Sequence, residues 1–137
     1  MKKTKAKKST RADGAWDRGA RYHRRFALLA VVQARRVLPL FEREHPRDPR
    51  PRAAIAAIQA WAEGKRELGM AEVRKLSLAA HAAARAARTD AARFAARAAG
   101  HAVATWHVPT HAMGVPIYAA KAVLASRNPP AAKSRRR

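Results

Sequence analysis

Histidine supplies most of the unusual chemistry in this 137-residue chain, since four of its six histidines fall in one alanine-rich run over residues 79–121. Imidazole can bind a metal ion, act as a general acid or base, or form hydrogen bonds between helices. We expect these histidines to form a binding or structural polar cluster with two further side chains. The predicted cluster consists of His81, His101, Thr105, His107, His111 and Tyr118.

The spacing of the histidines gives little support to a metal site. His107 and His111 would share one face of a helix, but His101 lies six residues before His107, about 120° away around a straight helix. His81 would come from a different helix, and no carboxylate lies between His101 and Lys121 to complete a ligand set. The His-Glu-x-x-His pattern of helical metal sites is absent. We therefore expect no metal and no cofactor, with the imidazoles hydrogen-bonded between helices.

The sequence also gives little support to an enzyme. A catalytic histidine usually needs an acid that orients it, yet helical spacing places neither Glu72 nor Asp90 beside a histidine. Nucleophile-elbow, P-loop and dinucleotide-binding glycine patterns are absent. The chain has no cysteine, which excludes disulfides and thiol nucleophiles and fits a reducing cytoplasm. We expect a non-enzymatic, cytoplasmic protein.

Apolar periodicity predicts the helices that must position the cluster, at residues 18–44, 51–63, 70–88 and 90–126. The residues of the first helix predicted to face the core are Phe26, Leu29, Ala30, Gln33, Val37, Leu40 and Phe41. Pro39 lies inside this helix and is predicted to kink or break it. In the second helix, Trp61 is predicted to be a core anchor.

The last predicted helix carries Pro109 and Pro116, which indicate one long bent helix or two nearly collinear helices. The sequence thus predicts an all-α fold, a compact bundle of four to six helices. Residues 1–17 are predicted to be a disordered basic arm, residues 18–126 the helical domain, and residues 127–137 a disordered basic tail. An alanine-rich core requires the helix backbones to pack closely, because each alanine buries little area.

The formal net charge of +21 suggests a polyanionic or acidic partner. Residues 1–20 carry seven positive charges against two acids, residues 127–137 carry five and no acid, and residues 21–126 carry eighteen against seven. Nucleic acid could bind through the basic tails and arginine-rich faces, although the charge could equally serve solubility. No apolar run is long enough to span a membrane, and the lysine-rich start leads into a polar stretch, so we expect neither membrane insertion nor export.

Several ordered motifs, covering about residues 24–125, resemble a family of small bacterial proteins assigned as immunity proteins of polymorphic toxin systems. They are RVLPLFE at 36–42, RPRAAI at 50–55, AWAEG at 60–64, LAAHAAAR at 78–85, AGHAVATWHV at 99–108, HAMG at 111–114 and YAAK at 118–121. The resemblance implies an all-helical cytoplasmic protein that binds and neutralises a cognate toxin. The family's recurring histidines correspond to the four named above, and its tryptophan corresponds to Trp61.

This chain departs from the family pattern at Pro109 and Pro116, where relatives have uninterrupted helix, and in its basic tails. Immunity proteins that plug nuclease toxins are often acidic and mimic nucleic acid, which a chain of this charge cannot do. The toxin is therefore expected to present an acidic surface or to be blocked away from any phosphate-binding cleft. The alternative prediction is a non-specific nucleic-acid or nucleoid-associated binding protein. The sequence does not indicate an oligomeric state.

Overall fold

The computed structural model describes residues 21–128, which form five α-helices and one 3₁₀ helix, with no strand in this part of the chain. The helices are α1 (Arg21–Glu42), α2 (Arg50–Ala62), α3 (Met70–Ala86), α4 (Asp90–Ala104), the 3₁₀ helix (Pro109–Met113) and α5 (Gly114–Arg127). The predicted all-α bundle is confirmed. The predicted arm over residues 1–17 and the tail beyond Asn128 lie outside the described residues.

Helix α4 is the centre of the bundle and packs against all four other α-helices. Its buried positions are almost all alanine or glycine: Ala91, Ala92, Ala95, Ala96, Ala98, Ala99, Gly100, Ala102 and Val103. Such short side chains let neighbouring backbones approach closely, so dispersion contacts replace the large apolar side chains that the chain lacks. The Thr89 hydroxyl caps this helix by accepting a hydrogen bond from the Ala92 N–H at 3.2 Å, and it donates one to the Glu44 carboxylate.

Helix α1 faces the core with a different stripe from the one predicted. Ala30, Val37 and Phe41 are buried as predicted, and the rest of the buried face comprises His23, Ala27, Val31, Ala34 and Leu38. Phe26 and Leu29 are 44% and 63% exposed, so the prediction for these two was wrong. The alanines of α1 allow a close approach to the alanine-rich α4, which the larger side chains of the predicted stripe would prevent. Pro39 does not break α1, which continues to Glu42.

Glycine and tryptophan fix the end of α2. Gly64 adopts a φ of +78°, and the Lys65 N–H donates to the Ala60 carbonyl oxygen at 2.9 Å, closing the helix. Trp61 is 2% exposed and lies in the core, where its ring meets the edge of the His23 ring at 5.2 Å. This contact joins α2 to the first turn of α1.

The two prolines near residue 110 start new elements, so the predicted collinear arrangement was wrong. Helix α4 ends at Ala104, the chain turns, and α5 packs alongside α4. Pro109 opens the 3₁₀ helix and Pro116 lies in the first turn of α5, positions where the missing N–H of proline breaks no helical hydrogen bond. None of the helices described between residues 21 and 128 has the length and apolar character to cross a membrane.

Candidate binding site between α3, α4 and α5

Four aromatic rings from four different elements meet over α4, and we call His81, His101, His111 and Tyr118 the imidazole cluster. The His101 ring on α4 is central. Its centroid lies 5.4 Å from that of His81 on α3, 6.0 Å from that of His111 on the 3₁₀ helix, and 5.1 Å from that of Tyr118 on α5, with which it stacks. The turn between α4 and α5 creates this meeting point, because it brings residues 111 and 118 back to residue 101.

Arg97 fixes the protonation of His81. The guanidinium Nη1 donates a hydrogen bond to His81 Nδ1 at 2.7 Å. An arginine cannot accept, so Nδ1 must carry no proton and the neutral ring keeps its proton on Nε2. Arg97 and His101 are four residues apart on α4, so the same helical face supplies both the guanidinium and the central imidazole.

Glycine on α4 makes room for the His81 ring. A Cβ built on Gly100 would lie 2.5 Å from His81 Nε2, closer than side chains pack. The Ser77 hydroxyl on α3 also donates to the Gly100 carbonyl oxygen at 3.2 Å. Gly114 leaves room for the His101 ring in the same way, since a Cβ added to it would lie 3.1 Å from His101 Nδ1. Both glycines therefore permit close packing around the imidazoles.

Burial keeps the clustered imidazoles neutral. Burial, followed by the charges of Arg97, of His101 and of Arg85, lowers the pKa of His81 to about 4. The pKa of His101 is lowered by burial and then by His111 and Arg97, while the pKa of His111 is lowered by burial and then by its neighbour His107. At pH 7 the cluster thus presents neutral rings among permanent cations.

Lys121 borders the other side of the cluster. Its ammonium lies 5.4 Å from the ring centroid of Tyr118 and 5.5 Å from that of Phe94, within reach of cation–π attraction. Phe94 and Tyr118 themselves lie 6.1 Å apart. The cluster is therefore enclosed between the guanidinium of Arg97 and the ammonium of Lys121.

Two members of the predicted cluster lie elsewhere. His107 is exposed and lines a small cavity of about 150 Å³ with Met70, Val73, Arg74, Ser77 and Leu78. Thr105 is fully buried in the core, and its hydroxyl donates to the His101 carbonyl oxygen at 3.3 Å. Thr105 thus anchors the backbone under the cluster, and its side chain does not face the rings.

The sequence reasoning missed His23, which is fully buried at the opposite side of Thr105. Its Nε2 donates to the Thr105 carbonyl oxygen at 2.6 Å, which ties the first turn of α1 to the end of α4. Arg24 covers the Trp61 ring, with its guanidinium carbon 4.5 Å from the centroid, and donates to the Trp61 carbonyl oxygen. The signal in the sequence was its spacing, because His23 stands seven residues before Ala30 and so shares a helical face with a residue predicted to face the core.

The geometry of the cluster does not provide a metal site. His81 Nδ1 already accepts from Arg97, and His81 Nε2 lies against Gly100. Across residues 21–128, no group of three or more histidine, aspartate or glutamate side chains is placed to hold a metal ion. Residues 91–128 also contain no carboxylate that could orient an imidazole for catalysis. What the cluster offers is hydrogen-bonding groups, and Arg97 and Lys121 beside it supply positive charge.

The fold and this cluster define a small all-helical domain whose site offers recognition chemistry. A family model described as "Imm-5 like putative immunity protein" matches residues 19–137. The chain therefore belongs to this immunity protein family, as its motifs predicted. No curated protein and no solved structure matches the chain.

Proposed function

We propose that the protein binds a cognate toxin and neutralises it by occupation of the toxin surface, without catalysis and in the cytoplasm. Membership of the immunity protein family over residues 19–137 carries this proposal. A protein of this kind acts stoichiometrically, so its affinity must come from a preformed contact surface. The imidazole cluster supports that role because its rings are held by packing and hydrogen bonds before any partner arrives.

The chemistry of the cluster favours acceptor groups on the toxin. The neutral imidazoles of His101 and His111 can each donate one N–H, whereas the N–H of His81 lies against Gly100. Arg97 and Lys121 add charge-assisted donors on either side. Carboxylates and backbone carbonyls of the toxin would satisfy these donors. A toxin surface rich in carboxylates also fits the excess of cations on the helical domain, and it avoids any mimicry of nucleic acid.

The competing prediction was non-specific binding of nucleic acid. The basic arm and tail, which would make many of the phosphate contacts, lie outside the described residues. A gel shift with duplex DNA at low and high salt distinguishes the two. Tight retention of DNA that persists when residues 1–17 and 127–137 are removed would favour the nucleic-acid function, because phosphate contacts from the helical domain alone would then be sufficient.

A co-culture competition tests the proposed function and does not require the toxin to be identified. A strain that lacks the gene is mixed with its parent, and viable counts of each are followed during contact. We expect the deletion strain to be killed and to be rescued by the wild-type gene. Equal survival of the deletion strain, under conditions in which its parent kills other competitors, would contradict the proposal.

Complementation with variants locates the contact surface. Arg97→Ala and Lys121→Ala remove the two cations that flank the cluster, and both are expected to weaken rescue. Arg47→Ala, an exposed arginine in the loop between α1 and α2, is the matched control and should rescue fully. Circular dichroism on each purified variant separates a lost contact from a lost fold. Full rescue by both cluster variants would remove the cluster from the toxin contact.

A further inference from the structure

A second surface of the molecule has the features of a docking groove. The groove lies between α1 and the start of α5, encloses about 300 Å³, and is separate from the imidazole cluster. We call it the α1–α5 groove. Its lining residues are Phe26, Leu29, Ala30, Gln33, Ala112, Met113 and Pro116.

The lining of this groove is apolar and open. Leu29 is 63% exposed and Met113 is 70% exposed, and more than half of Val32, one turn after Leu29, and of Ile117, next to Pro116, is also exposed. Helix α1 thus has two apolar stripes, one that packs on α4 and one that faces outward along the groove. A contiguous exposed apolar surface of this kind marks an interaction site more often than isolated exposed side chains do.

The charges around the groove identify the chemistry of its occupant. Arg25 precedes Leu29 by one turn and Arg36 follows it by two turns, so these exposed guanidiniums flank the groove along α1. Residues 21–41 and 91–128 contain no aspartate or glutamate. The acids of the described residues that form ion pairs lie outside these ranges: Glu42, Asp48, Glu63, Glu72 and Asp90.

Those charges argue against a second copy of this chain as the occupant. In a two-fold interface through the groove, Arg25 and Arg36 of both copies would approach one another, and residues 21–41 and 91–128 provide no carboxylate to lie between them. Uncompensated like charges at an interface are costly. The same two arginines favour a partner protein that carries carboxylates of its own.

We propose that the α1–α5 groove binds a helix of a partner protein that presents an apolar ridge flanked by carboxylates. The apolar ridge packs on Leu29 and Met113, and the carboxylates pair with Arg25 and Arg36. This inference rests on the proposed function, that the protein acts by binding a protein. It adds the chemistry of the partner and a contact surface distinct from the imidazole cluster.

Synthetic helical peptides of about 20 residues test the groove on the full chain by fluorescence anisotropy. The first peptide has leucines at helical spacing flanked by glutamates, the second has lysines in place of the glutamates, and the third has glutamines in place of the leucines. We expect the first peptide alone to bind, with an affinity that falls as salt rises. Equal binding of the first and third peptides would show attraction to net charge only and would overturn the proposal.

Matched variants assign the binding to the groove. Leu29→Glu places a carboxylate in the groove, and Leu78→Glu makes the same change on α3 at a leucine of nearly equal exposure, 61%. We expect Leu29→Glu to weaken binding of the first peptide about tenfold or more and Leu78→Glu to leave it unchanged. Equal effects of the two variants would overturn the proposal. So would failure of every peptide to bind.

Sedimentation of the unliganded protein tests the remaining occupant. We expect a monomer at all concentrations, and a concentration-dependent dimer that Leu29→Glu abolishes would assign the groove to a second copy instead. A negative result in the peptide experiment and a negative result in the co-culture experiment reject different claims. Full protection in co-culture without peptide binding would reject the groove alone, whereas peptide binding without protection would reject the toxin-neutralising function alone.

Discussion

Replacement of Gly100 by alanine is predicted to destabilise the protein, although the same change in an ordinary helix interior is stabilising. Alanine at an unhindered helical position is worth about 1 kcal/mol more than glycine. At position 100, however, the new Cβ would lie 2.5 Å from Nε2 and 2.8 Å from Cδ2 of the His81 ring. The ring must therefore move away from α4.

Two costs oppose the helical gain. Overpacking a close contact costs about 1–3 kcal/mol. Movement of His81 also lengthens its hydrogen bond with Arg97, and a bond with a charged donor is worth about 1.5–3 kcal/mol when fully made. Part of that value is retained because the half-buried ring can rotate toward solvent. We expect Gly100→Ala to lower the free energy of unfolding by about 1–2 kcal/mol.

A double-mutant cycle tests this reasoning by denaturant unfolding. In a His81→Ala background the imidazole ring no longer obstructs the new Cβ. Gly100→Ala should then raise the free energy of unfolding by about 0.5–1 kcal/mol, the opposite of its effect in the wild type. Gly69→Ala is the control, because nothing lies within 4 Å of a Cβ added there. Gly69 is the N-cap of α3, so the change should cost no more than about 1 kcal/mol, and this cost should be the same in the His81→Ala background. A Gly100→Ala protein that is as stable as the wild type or more stable would refute the close approach of α3 to α4 at His81.

Three further outcomes follow from the site and its supports. Because the pKa of His81 is about 4 in the folded protein against an ordinary 6.5, only the unfolded chain takes up this proton between the two values. Stability should therefore fall as the pH drops from 6.5 to 4, by about 1–2 kcal/mol once solvent screening of the half-buried ring is included, and His81→Gln should reduce this loss in denaturant unfolding. Arg97→Gln should raise the pKa of His81 toward 6.5 in an NMR titration, and an unchanged pKa would show that burial alone sets it. Thr89→Ala should cost about 1–2 kcal/mol, since it removes the cap on α4 and a hydrogen bond to Glu44, whereas Thr110→Ala, an exposed threonine, should cost less than about 0.5 kcal/mol.

Local signals were enough to predict most of the helices. The Thr89 cap and the prolines before α2 gave boundaries within about two residues of those observed, because capping depends on neighbours in sequence. The choice between two apolar stripes on α1 could not be made locally. It depends on the alanines of α4, because they pack closely only against small side chains. Ala27 and Ala34 are therefore buried against α4, and Phe26 and Leu29 are exposed.

The cluster could be predicted only in part for a similar reason. The sequence identified His81, His101, His111 and Tyr118 as candidates, but their meeting depends on the reversal of the chain between α4 and α5. Pro109 and Pro116 could equally have kinked a continuous helix, so nothing local predicted that reversal. The contribution of Arg97 was not anticipated either, although it stands one helical turn before His101.

Site-specific photo-crosslinking in the native strain tests the central claim most directly. A photoreactive side chain at Arg85, exposed on α3 one turn after His81 and close enough to act on its charge, is compared with one at Arg47, an exposed arginine in the loop between α1 and α2. We predict that position 85, and not position 47, captures a protein whose expression alone is lethal and whose lethality is relieved by co-expression of the wild-type chain. Capture of nucleic acid at position 85, or of a protein that is harmless when expressed alone, would contradict a toxin-binding role for this face.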